Sequence, residues 1–165
     1  MRDLTRRLSL VVLASLLMST AVAAQRRTAP AQSAQPLLGF QAGFATNSFD
    51  ALVGGQFSYQ IAPQFDLYPS FDIYFPSGPG SAWGLNANVR YWPKLNMPNP
   101  ALYVGGGLGV THVSAFGIGD SRVGLNLLGG WQFHTPSLLP FVELRAVLAS
   151  DVDRIEFVGG LNFKL

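Results

Sequence analysis

Residues 154–165 read RIEFVGGLNFKL. Every second residue from Ile155 is Ile, Phe, Gly, Leu, Phe, Leu. The residues between them are Arg, Glu, Val, Gly, Asn, Lys. One series is mostly bulky and apolar, and the other is polar or small. A period of two is the signature of a strand whose faces meet different surroundings. The two consecutive glycines argue against a helix over the same stretch.

Working back from this segment, seven more runs show the same alternation: 37–46, 51–61, 65–75, 82–92, 101–113, 122–133 and 139–149. In 82–92, Trp83, Leu85, Ala87, Val89 and Tyr91 oppose Gly84, Asn86, Asn88 and Arg90. In 139–149, Val142, Leu144, Ala146 and Leu148 oppose Phe141, Glu143, Arg145 and Val147. The breaks are turn-formers such as NSFD (47–50), PSGPGS (76–81) and HTPS (134–137). The run 65–75 holds Pro69, which lacks a ladder donor and predicts a bulge or a locally open edge there. SAFGIGDS (114–121) reads as a loop.

Short connections exclude parallel crossovers, so neighbouring runs pair antiparallel as a meander. Eight strands in sequence order invite closure, which removes both unpaired edges. Closure pairs the first run with the last, and makes 154–165 a seam. The expected fold is all-β, an eight-stranded antiparallel up-and-down barrel.

A soluble lipocalin-like barrel and a transmembrane barrel both alternate, but with opposite faces inward. Volume and charge choose between them. An eight-stranded barrel has room inside only for its own side chains. The bulky set, with most of the phenylalanines and Trp83 and Trp131, suits the wide exterior. The Gly, Ser, Asn and Gln set suits the lumen. Charged residues make up 12% of the chain, against about 25% for an ordinary soluble domain. That is too few for a water-facing skin. Asp66, Asp72, Glu143 and Glu156 are then expected inside with Arg90, Arg122, Arg145, Arg154 and Lys164, because buried charges must be paired. Runs of this length match the roughly 9–11 residues of a tilted membrane-spanning strand. Aromatics mark two rims, Phe75 and Trp83 at one, and Tyr91, Trp92, Trp131, Phe133 and Phe163 at the other.

Residues 1–24 read as a signal peptide: a basic start with Arg2, Arg6 and Arg7, an apolar core LSLVVLASLLMSTAV, and small residues for cleavage after Ala23 or Ala24. Its removal takes three of the 11 basic residues and one of the 9 acidic ones, leaving 8 of each. The high pI belongs to the leader, and no basic surface remains for nucleic acid. Residues 25–36 read as a flexible Pro/Ala/Gln linker. There is no cysteine, and His112 and His134 have no neighbours at ligand spacing, so no metal or cofactor is expected.

The leader, the eight alternating runs and the terminal strand resemble the small outer-membrane β-barrels of Gram-negative bacteria, the OmpA-like and OmpX-like class. The resemblance covers 37–165. It implies an outer-membrane location, a monomer, outer-membrane lipid and lipopolysaccharide as surroundings, and the barrel-assembly machinery as a partner in biogenesis. It places both chain ends in the periplasm and loops 46–50, 76–81, 114–121 and 150–153 outside. The family's terminal strand usually ends in an aromatic; here Phe163 is followed by Lys164 and Leu165. His112 and Ser114 also look like the His-x-Ser of the outer-membrane lipid A deacylases, with Glu143 as the required third member. Ala115 after the serine, and the opposite parity of His112 and Glu143, weigh against that triad. The expected function is a structural or interaction barrel with a lumen plugged by polar and charged side chains, without an open pore, catalytic residues or enzymatic activity. A lipid A acylhydrolase and a soluble lipocalin-like carrier are the alternatives.

Overall fold

The computed structural model describes residues 35–47, 51–95, 99–149 and 153–165. The leader at 1–24 and all but the last two residues of the linker lie outside these. The described residues form eight strands: β1 (Leu37–Ala45), β2 (Ala51–Ala62), β3 (Phe65–Phe75), β4 (Ser81–Tyr91), β5 (Ala101–Ala115), β6 (Ile118–Gln132), β7 (Leu139–Ala149) and β8 (Arg154–Lys164). Each pairs antiparallel with its sequence neighbour, and β1 pairs with β8 from Leu37↔Lys164 to Ala45↔Glu156. The barrel is closed. The terminal segment is its seam, locked at one end by Leu165 N–H donating to Pro36 O at 3.0 Å.

The alternation sorts the faces as the volumes require. Phe40, Phe44, Phe57, Phe71, Phe157 and Phe163 point outward and are exposed, Phe44 to 71%. Asp72, Asn88, Arg90, Asn126, Arg145 and Glu156 point inward and are fully buried. A lipocalin-like barrel would have these faces reversed.

Beside several inward glycines a long neighbour fills the space. A Cβ at Gly54 would meet the Asp72 carboxylate at 2.2 Å, and one at Gly109 the Asn86 amide at 2.3 Å. One at Gly39 would meet the Asn162 amide at 2.2 Å, and one at Gly160 the Phe141 ring at 2.4 Å.

One local reading is narrowed to its open-edge alternative, and one changes. The β2–β3 ladder passes from Gln56↔Ser70 to Tyr59↔Leu67 without shifting register, so Pro69 interrupts pairing but makes no bulge. The register shift lies at Gln60/Ala62. The stretch 114–121 is mostly strand: β5 and β6 pair up to Ala115↔Ile118 and turn on Phe116 and Gly117 alone. Their φ values of 52° and 79° are those of a two-residue hairpin turn, whose twist matches the flanking strands. Phe116 is not a residue that announces such a turn.

Candidate functional site: the filled lumen

Successive inward positions of each strand stack into layers along the barrel axis. Toward the end that holds the chain termini, Arg90 on β4 faces Asp66 on β3. Its Nε donates to Asp66 Oδ1 at 3.1 Å and its Nη2 to Oδ2 at 2.7 Å. Nη2 also donates to Ser58 Oγ at 2.9 Å. Three aromatic rings surround this guanidinium: Tyr68 at 3.9 Å, Tyr103 at 4.9 Å and Trp92 at 5.1 Å. Planar guanidinium over aromatic faces combines stacking with cation–π attraction. Trp92 packs against this group, with its ring 4.9 Å from that of Tyr103. It does not belong to the outer aromatic rim where its place at the end of a run put it.

Toward the opposite end, Arg145 on β7 is the hub. It contacts Asp72 at 3.1 Å, Glu143 at 2.8 Å and Glu156 at 3.2 Å. Arg154 shares Glu156 at 2.6 Å and donates to Tyr74 Oη at 2.8 Å and Thr111 Oγ1 at 3.1 Å. Asp72 further accepts from Gln41 and from Asn86 Nδ2, the latter at 3.0 Å. Tyr103 joins the two halves: its ring packs by Arg90 and its hydroxyl donates to Glu143 at 3.0 Å. Between them, Asn126 Nδ2 donates to the amides of Asn86 and Asn88, both at 2.9 Å. Among the described residues, Asn88 Nδ2, Arg90 Nη1 and Asn126 Oδ1 are the buried side-chain atoms without a partner.

The sequence placed five cations inside, and two of them are elsewhere. Arg122 is partly exposed and donates from Nε to the exposed Asp120 at 2.8 Å. That hydrogen bond holds the Asp120 carboxyl below its ordinary range. Lys164 is exposed at the end of β8. Both lie where the strand has run past the closed layers of the barrel. The lumen thus holds four carboxylates against Arg90, Arg145 and Arg154, which is why Arg145 serves three acids.

The His-x-Ser candidate is not assembled. His112 points outward, stacked on Trp83 with centroids 5.4 Å apart. Its Nδ1 is 2.9 Å from Oγ of Ser121, not of Ser114. Glu143 is in the lumen, bonded to Tyr103 and Arg145. Sequence spacing could not find the Ser121 partner, because the register that pairs it with His112 depends on the tight turn at 116–117.

The closed meander matches solved outer-membrane proteins. The N-terminal β-barrel domain of Pseudomonas aeruginosa OprF superposes with a TM-score of 0.65 at 16% identity, covering 81% of this chain and 100% of that one. This is the fold of the small eight-stranded outer-membrane barrels. Neisserial surface protein A matches at TM-score 0.60 and 17% identity over 79% of this chain and 96% of that one. Ail, the attachment invasion locus protein of Yersinia pestis, matches at 0.52 and 14% over 80% and 97%. No protein-family model and no curated protein sequence matches the chain. At these identities the likeness extends to fold alone.

Proposed function

We propose that the mature chain is an outer-membrane barrel of structural or interaction type, exported by a cleaved leader, with a plugged lumen and no catalytic role. The observation that carries this is the pairing of an exposed apolar wall with a buried, internally bonded ionic lumen. In water the wall would be an aggregation surface. In lipid it is the solvated face, and the closed ladder leaves no open sheet edge to satisfy. Arg145 bridges β7 to β3 across the barrel and Arg90 ties β4 to β3 and β2, so a solute path would have to break several charge-assisted bonds at once.

Outer-membrane fractionation with heat-dependent gel migration tests the placement, and planar-bilayer recording tests the plug. Membrane association with no steady conductance is expected. A chain recovered soluble and monomeric in plain buffer would sink the placement, and a stable large-conductance pore would sink the plug. For the acylhydrolase reading, lipid A from cells carrying wild type or Ser114→Ala is expected to be identical by mass spectrometry.

A further inference from the structure

The register sets Trp83, His112 and Ser121 side by side across β4, β5 and β6, all pointing away from the lumen. The next outward row toward the terminus end is Leu85, Val110 and Val123, all exposed. The row of Trp83 is thus where this wall changes from apolar to hydrogen-bonding. Ser114 lies one outward position beyond His112, and pairs with Gly119. The imidazole is fixed on both sides: its face stacks on Trp83 at 5.4 Å and its Nδ1 meets Ser121 Oγ at 2.9 Å. Its free edge is kept open by Gly119, where a Cβ would come within 2.9 Å of Cε1 and 3.1 Å of Nε2. Formal charge stays off this face, because Asp120 and Arg122 alternate with it along β6 and bond each other at 2.8 Å.

Hydroxyls, an imidazole edge and an indole, with no cation among them, match one ligand chemistry well. A phosphate would draw on Arg or Lys. A bare acyl chain would leave the Ser114 hydroxyl and the outer imidazole edge unpaired. A sugar ring offers both hydroxyl partners and an apolar face for the aromatic. A sugar tethered to acyl chains in the same leaflet would be held beside the row at high effective concentration. We infer that Trp83, His112 and Ser121, with Ser114 beyond them, form an interfacial site for the neutral sugar headgroup of a glycolipid. This rests on the barrel spanning a membrane as proposed above.

The test is NMR of the His112 Cε1–H signal in the barrel inserted in phosphatidylcholine nanodiscs, titrated with monoglucosyl diacylglycerol. The expected result is a saturating shift, absent with phosphatidylglycerol and with dissolved glucose. Ser121→Val and Ser114→Ala should each weaken it by about fivefold, the worth of one hydrogen bond. An unmoved signal, an equal response to phosphatidylglycerol or to free glucose, or serine variants that bind like wild type would each overturn the site. Those outcomes leave the transmembrane reading standing. A chain that fails to insert into the nanodisc overturns both.

Discussion

Arg145 and Asp72 stand 73 residues apart in the chain and meet inside the barrel at 3.1 Å, both fully buried. Each also has a partner in its own hairpin, Asn86 for Asp72 and Glu156 for Arg145. Their bond ties β3 to β7, strands that share no ladder. The same guanidinium holds Glu143 and Glu156, so it touches three buried carboxylates, of which Arg154 shares Glu156.

Arg145→Met should therefore be among the most damaging single changes to the lumen. It leaves acids buried with one cation fewer, a loss on the order of 3–5 kcal/mol. Urea unfolding of the barrel refolded in liposomes measures it. Adding Asp72→Asn to the variant should recover part of the loss, since one uncompensated charge is removed. A shift below about 1 kcal/mol would mean that water, not Arg145, neutralises the acids.

Arg90→Lys tests the other half of the lumen network. Lysine keeps the charge but loses the two-pronged bond to Asp66 and the flat contact with Tyr68. A cost of about 1–3 kcal/mol is expected, again from urea midpoints. Equal stability of the two proteins would show that only the charge at this position matters.

Two glycines that look alike in sequence should answer differently to alanine. Gly107 faces inward, and a Cβ there would lie 2.1 Å from Ala87 O and 2.6 Å from Asn88 Cα. These are backbone atoms of the neighbouring strand and cannot step aside cheaply. Gly55 faces outward, with its nearest neighbour Gly39 O at 3.8 Å. Gly107→Ala should lose about 2 kcal/mol or fail to assemble. Gly55→Ala should stay within about 0.5 kcal/mol of wild type. Refolding yield into detergent micelles separates the two.

The strands and their faces were legible because period-two alternation is a local signal, and a narrow barrel sends most of the bulk outward, although Tyr68, Tyr74, Tyr103 and Phe141 are buried inside. Glu143 and Arg145 could be assigned to the lumen by parity alone. What parity cannot carry is height along the axis. Arg122 and Lys164 have inward parity but sit beyond the closed layers, one beside Asp120 and one exposed. Trp92 follows the last residue of β4 but keeps the inward parity of Arg90, so alternation alone turns it under Tyr103, and the rim assignment from its place at the strand end went against that signal. The partners of each lumen charge are long-range matters of register, which runs of similar residues do not encode individually.

The tip of the β5–β6 hairpin gives the last prediction. Phe116 has φ of 52° and is 87% exposed, so it holds a left-handed backbone without burying its ring in return. That conformation is costly for a bulky side chain and easy for asparagine. Phe116→Asn also creates Asn-Gly with Gly117, the pair that two-residue hairpin turns favour. No packing is lost, so the variant should be more stable by about 0.5–1 kcal/mol. The gain should appear as a higher urea midpoint and as slower amide exchange at Ser114 and Gly119, which pair next to the turn. A lower midpoint would show that the exposed ring supports the hairpin through some contact of its own.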